Sequence, residues 1–104
     1  MRFLIFGMGA IGTYIGGSLT LSGELVIYLE RSEVADRFNL QPLTLEIEGK
    51  EQTFVPDGVS DSLEKVFGQS SIDVVLVAVK SFDTPEVARS LQPYRNRISA
   101  VVSL

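Results

Sequence analysis

The sequence predicts an α/β fold, a doubly wound and mainly parallel sheet with helices on both faces. Three observations predict it. Apolar runs at Phe3–Phe6, Leu25–Leu29 and Asp73–Val79 have the near-continuous pattern of strands buried on both sides. Helix-patterned segments alternate with them, as in βαβ units. A glycine-rich turn, Gly7-Met8-Gly9-Ala10-Ile11-Gly12, joins the first strand to the first helix.

Phe3-Leu4-Ile5-Phe6 is the first strand. A helix is expected from Ala10 to Ser22, with Ile11, Tyr14, Ile15 and Leu19 forming one apolar face at three- and four-residue spacing. Gly23 is its natural C-terminal stop. Leu25–Leu29 follows as the second strand. Ser32 is expected to cap a short helix reaching Leu40. Thr44–Ile47 and Thr53–Val55 flank Glu48-Gly49-Lys50 and predict a β-hairpin. Asp61-Ser62-Leu63-Glu64 has the acceptor-x-x-Glu form of a capping box, opening a short helix that Gly68 ends. Asp73–Val79 is the strongest strand signal. Thr84 as N-cap, with Pro85 at the first helical position, starts a helix that closes near Gln92-Pro93. A last strand runs from Ile98 to Leu104. Right-handed crossovers place the first strand centrally, and ligands of such sheets sit beyond the carboxyl ends of the strands, where strand order reverses.

The chain has 104 residues, 45% hydrophobic and 21% charged, with net charge −4. One hydrophobic core suffices for this length. Without a basic stripe, a nucleic-acid partner is not expected. The absence of cysteine and histidine excludes disulfides, thiolate nucleophiles, a Ser-His-Asp triad and a Cys/His zinc site, and no metal is expected. The apolar run before Gly7 is too short for a signal peptide, and no stretch approaches the roughly 18 residues of a membrane span. A cytoplasmic protein without membrane attachment is therefore expected. The chain stops within an apolar strand, whereas domain boundaries favour polar linkers. Residues 1–104 are thus expected to form one dinucleotide-binding domain, cut from a longer protein.

The turn Gly7–Gly12 matches G-x-G-x-x-G after a strand and before a helix, the fingerprint of a Rossmann-type domain. Gly7 permits the tight turn, Gly9 leaves room for a pyrophosphate, and Gly12 allows close packing of helix and strand. The free amides and positive end of the helix then face the phosphates. This makes Gly7, Met8, Gly9, Ala10, Ile11 and Gly12 candidate cofactor-binding residues. Gly16 and Gly17 lie inside the helix, each at a cost of about 1 kcal/mol relative to alanine. Close approach to the sheet explains Gly16, while the sequence offers no reason for Gly17.

Glu30-Arg31 ends the second strand, where the adenosine ribose belongs. An acid there accepts hydrogen bonds from the ribose hydroxyls and favours NAD, and an arginine pairs with the 2′-phosphate and favours NADP. The chain has both, so position alone leaves the choice open. Val79 and Lys80, at the carboxyl end of the strongest strand, are further cofactor-binding candidates. Lys80 suits a pyrophosphate, a nicotinamide ribose or an anionic substrate, and Phe82 suits either the cofactor or the core.

These motifs coincide in one family. GMGAIGTYIGGSL, VIYLER, DVVLVAVKSFDT and the closing VVSL resemble the N-terminal domain of the ketopantoate reductases (2-dehydropantoate 2-reductases) over nearly the whole chain. The resemblance implies NADPH-dependent reduction of 2-dehydropantoate, a keto acid, to pantoate in pantothenate and coenzyme A biosynthesis. It matches Gly7, Gly9 and Gly12 to the pyrophosphate turn, Arg31 to the 2′-phosphate arginine, and Lys80 to a lysine near the pyrophosphate and nicotinamide, and so favours NADP over NAD. Glu30 departs from the small or apolar residue usual at its position. The family's general-acid lysine and substrate groups belong to a helical C-terminal domain, so no catalytic residue is assigned, and the chain alone is expected to bind cofactor without turnover. A homodimer is left open. The alternatives are another 2-keto or 2-hydroxy acid dehydrogenase, and a non-catalytic regulatory NAD-binding module.

Overall fold

In a computed structural model the described residues are 1–39, 41–78 and 84–104. The order of elements is β1 (Arg2–Phe6), α1 (Ala10–Leu21), β2 (Leu25–Leu29), α2 (Ser32–Phe38), β3 (Leu43–Ile47), β4 (Lys50–Phe54), β5 (Gly58–Ser60), α3 (Leu63–Gln69), β6 (Val74–Val77), α4 (Thr84–Leu91), a 3₁₀ turn (Gln92–Arg97) and β7 (Ala100–Ser103). A five-stranded sheet runs β5-β2-β1-β6-β7, and every pairing in it is parallel. The first strand is central, as the crossover rule requires. This is the Rossmann-like α/β architecture.

Alternation along β1 divides the core. Leu4 and Phe6 point to one face, where Val75 and Val77 of β6 meet Val66 and Phe67 of α3 and Val87 and Leu91 of α4. Ile5 points to the other, with Val26 and Tyr28 of β2, Leu76, Ala35 of α2 and Phe54 of the hairpin. Successive side chains leaving opposite faces of a strand is the period-two rule, and it makes both layers necessary.

Two aspartates set the register of the sheet by the same device. Asp73 donates its N–H to the Arg2 carbonyl at 2.9 Å and accepts the Arg2 N–H on its carboxylate at 2.7 Å. Asp57 does the same to Val26, at 2.9 and 2.7 Å. Each bracket lies just before a strand and locks it to a neighbour distant in sequence.

Several expected boundaries move. The N-cap of α2 is Arg31, without a side-chain cap; Ser32 is already helical, and its hydroxyl donates to Asp61 at 2.9 Å. The expected end at Leu40 lies outside the described residues. The cap of α3 is Ser62, whose hydroxyl accepts the Lys65 N–H at 3.4 Å, so Asp61 is free to bind Ser32 and Lys65 instead. That helix continues through Gly68 to Gln69. β7 starts at Ala100 rather than Ile98: the 3₁₀ turn runs to Arg97, and the N–H groups of Ser99 and Ala100 both donate to the Asp73 carbonyl where the ladder with β6 begins. The hairpin forms, with Glu48 and Gly49 both at positive φ (52° and 78°), the primed geometry of a two-residue turn. Strand β5, absent from the sequence-based expectations, adds an edge next to β2.

The inward face of α1 also differs from its apolar periodicity. Ile11 and Tyr14 are exposed, at 59% and 49%, while Gly12, Gly16 and Gly17 are the buried positions. A Cβ on Gly16 would overlap the Tyr28 ring and hydroxyl. One on Gly17 would come within 2.6 Å of Phe54 Cε1 and 2.7 Å of Leu45 Cδ2. Gly17 is therefore where the hairpin lies against the helix, which explains both the glycine and the hairpin's place. At these three positions the neighbours approach too closely for side chains, so the fully buried stripe is one of glycines, flanked by the expected Ile15 and Leu19, which pack partly buried against the core.

Candidate functional site

The site begins where β1 runs out. Gly7 continues the ladder, donating its N–H to the Leu29 carbonyl at 3.0 Å, and then turns at φ 99°. The turn is closed by Thr13, whose hydroxyl donates to the Met8 carbonyl at 2.8 Å and whose N–H donates to the Gly9 carbonyl at 2.9 Å. Gly12 lies against the turn: a Cβ there would overlap the Gly7 carbonyl oxygen and touch Ala78 Cβ at 3.4 Å. The Tyr28 hydroxyl, buried below, donates to the Gly12 carbonyl at 3.0 Å. Burial raises the pKa of this hydroxyl well above the usual phenol value, so it stays a donor.

Gly9 is different. It is the N-cap of α1 in an extended conformation (φ −66°), no side chain caps it, no acid stands in the first helical turn, and a Cβ placed on it would meet nothing within 4 Å among the described residues. The first amides of a helix have no intrahelical acceptor. Here they lie at the carboxyl end of β1, with no atom of the described residues within 4 Å of a Cβ placed on Gly9 and the positive end of a 12-residue helix behind them. The arrangement fits a diphosphate.

At the end of β2, Glu30 donates its N–H to the Ser60 carbonyl at 2.9 Å, so the new strand β5 supports this position. The Glu30 carboxylate makes no ion pair with Arg31 and is held by two backbone amides. One oxygen accepts the Met8 N–H at 2.9 Å and the other accepts the Arg31 N–H at 3.1 Å. Arg31 is exposed, and its guanidinium makes no ion pair among the described residues. The structure therefore brings Gly7–Gly12, Glu30 and Arg31 together. Val79, Lys80 and Phe82 lie outside the described residues.

Thr13, Tyr28 and Ala78 were not among the sequence candidates. Thr13 and Tyr28 carry a usable signal, since a polar group beside the turn and a hydroxyl in a buried strand both need partners. Ala78 carries none, because its role is to be small. A groove of about 760 Å³ lies elsewhere, along the β5 edge between α2 and α3. Among the described residues no helix is long and apolar enough to cross a membrane.

Comparison with known proteins identifies the family and the fold. The family model "Ketopantoate reductase PanE/ApbA" matches residues 3–104. The chain is 29% identical over 102 residues to an "Uncharacterized oxidoreductase YkpB" of Bacillus subtilis (strain 168), covering 98% of this chain and 32% of that protein. It is 32% identical over 93 residues to a "2-dehydropantoate 2-reductase" of Aquifex aeolicus (strain VF5), covering 89% of this chain and 27% of that one. The crystal structure of 2-dehydropantoate 2-reductase from Methylococcus capsulatus has the same fold, with TM-score 0.72 at 21% identity, over 99% of this chain and 33% of that one. The chain thus spans about a third of the length of these relatives. By the family model and the fold together, the chain belongs to the ketopantoate reductase PanE/ApbA family.

Proposed function

We propose that this chain is the cofactor-binding domain of an NADPH-dependent oxidoreductase that reduces a small keto acid, with 2-dehydropantoate as the substrate. The observation that carries the reading is the open helix mouth at Gly9, where free amides face space that a side chain would fill. The amides of Gly9, Ala10, Ile11 and Gly12 would hold the diphosphate, while Gly7 and Met8, whose own N–H groups are donated to Leu29 and Glu30, would shape the turn around it. Arg31, exposed and without an ion pair among the described residues, would hold the 2′-phosphate. Val79 and Lys80, which follow β6 in sequence, would serve the pyrophosphate and nicotinamide. The nicotinamide, when bound, supplies hydride to the substrate carbonyl carbon.

The substrate assignment is supported by the family and by a relative named for that reaction. Both also favour an enzyme over a regulatory nucleotide-binding module. No residue of this chain is assigned as the general acid, and cofactor binding without turnover is expected of the chain alone.

Calorimetric titration of the chain with NADPH and NADH tests the reading. NADPH is expected to bind more tightly. Arg31→Ala is expected to lose about 1 kcal/mol or more for NADPH and little for NADH, in keeping with hydrogen bonds to charged groups. Equal affinities in the parent would remove the NADP assignment, and no binding of either nucleotide would remove the site.

A further inference from the structure

The glycine turn carries an anion of its own. Glu30, half-buried at the end of β2, reaches across to the Met8 amide, 22 residues earlier in the chain. Its second oxygen takes the amide of Arg31. Both bonds come from main-chain donors, so the carboxylate is held by backbone and not by a mobile side chain. It ties the turn to the second strand.

The same contact fixes a negative charge on the residue that precedes Arg31, the arginine expected to hold the 2′-phosphate. Arg31 does not neutralise it, since no ion pair joins them. A carboxylate oxygen has two lone pairs, and one N–H on each leaves acceptor capacity on both. The carboxyl end of this strand is where an adenosine ribose lies in sheets of this kind. A carboxylate already oriented accepts ribose hydroxyls without a further ordering cost. It meets a 2′-phosphate, of charge about −1.5 to −2, with repulsion. Arg31 and Glu30 therefore pull cofactor choice in opposite directions.

We infer that Glu30 is a positioning and specificity-determining residue: it holds the nucleotide turn through the Met8 amide and admits NADH alongside NADPH. The inference rests on the dinucleotide reading given above and adds that the site is not exclusive.

The test titrates the 104-residue chain with NADPH and NADH in three forms: parent, Glu30→Gln and Glu30→Ala. Glutamine keeps an acceptor for the Met8 amide and removes the charge. The parent is expected to prefer NADPH by less than about tenfold, because the two charges oppose each other. Glu30→Gln is expected to raise that preference by about fivefold or more, since its NADPH affinity no longer includes the repulsion. Glu30→Ala is expected to move the ratio the same way while also weakening NADH, because the turn loses its anchor. A merely structural role would alter thermal stability or both affinities equally and leave the ratio alone. An unchanged ratio in both variants overturns the inference while leaving dinucleotide binding intact. Failure of the parent to bind either nucleotide overturns the underlying reading instead.

Discussion

Gly9 and Gly12 stand three positions apart in one motif and do different physical work. Gly12 is required by the protein itself, because a Cβ there would overlap the Gly7 carbonyl, a backbone atom that cannot swing aside. Among the described residues Gly9 has open space around it and an extended backbone that any residue adopts, so on the dinucleotide reading proposed above its requirement would come from a ligand. The two substitutions should therefore separate. Gly12→Ala is expected to destabilise the fold by about 1–3 kcal/mol, as overpacking does. Gly9→Ser is expected to leave stability within about 0.5 kcal/mol, since serine is at least as good an N-cap as glycine. Its hydroxyl would nevertheless occupy the amides proposed to hold phosphate, and nucleotide affinity should fall by about tenfold or more, equivalent to 1.4 kcal/mol. Thermal melts paired with NADPH titrations decide it; a Gly9→Ser chain that binds normally would mean that the helix mouth is not the phosphate site. The motif itself was legible in the sequence because its residue types and its place between strand and helix are both diagnostic. The engagement of Glu30 with Met8 was not, since nothing in a linear sequence says which of several nearby donors a carboxylate will choose.

At the scale of elements, legibility followed the strength of the local physical signal. β1, β2 and β6 are buried on both faces, so their apolar runs announced them. β5 is a three-residue edge strand whose only apolar residue is Val59. It is held instead by the Asp57 bracket and the Glu30–Ser60 bond, and those are tertiary. The inward stripe of α1 was only half legible for the opposite reason: periodicity marks large side chains, and although Ile15 and Leu19 do pack against the core, the fully buried positions are glycines. Capping also resolved differently from its pattern, with Asp61 displaced from the cap by Ser62. Asp61 instead joins two helices, accepting from Lys65 on α3 at 3.1 Å and from Ser32 on α2 at 2.9 Å. The Lys65 hydrogen bond, then the Ser32 bond and the Lys65 charge, lower its pKa below the ordinary 3.8. A carboxylate lowered on folding contributes stability that is complete above its unfolded value and is lost as pH falls through the folded one. Asp61→Asn should therefore lower the melting temperature at neutral pH by a few degrees at most, as for an exposed pair. The difference should close as pH drops below about 3.8. A deficit that persists undiminished at lower pH would show that charge is not what the carboxylate contributes.

Across the whole molecule, the sheet is built from the middle outward, and its centre depends on distant parts of the chain. β1 has β2 on one side and β6 on the other, and the bracket that aligns it with β6 joins residues 71 apart in sequence. Leu4 and Ile5 of β1, Val26 and Tyr28 of β2, and Val75 of β6 are fully buried. β5 and β7 each have one neighbour, and every residue of β7 is exposed. The hairpin β3–β4 is a separate two-stranded sheet whose anchorage to the rest includes Phe54 and Leu45 against Gly17. Closing so long a loop cannot be compensated piecemeal, so β1, β2 and β6 should open only together, whereas an edge or the hairpin can open alone. Native-state amide exchange is expected to follow that order. The amides of Leu4, Ile5, Phe6, Val75 and Leu76 should exchange only through global unfolding, with a dependence on denaturant equal to that of the equilibrium transition. Hairpin amides should exchange through local opening, with little denaturant dependence, and β7 should lie between. The position of β1 was predictable because handedness constrains crossovers, but this hierarchy was not, because it depends on which strands end up with two neighbours. Hairpin amides protected as strongly as those of β1 would mean that the glycine contact with α1 makes the hairpin part of the central cooperative unit.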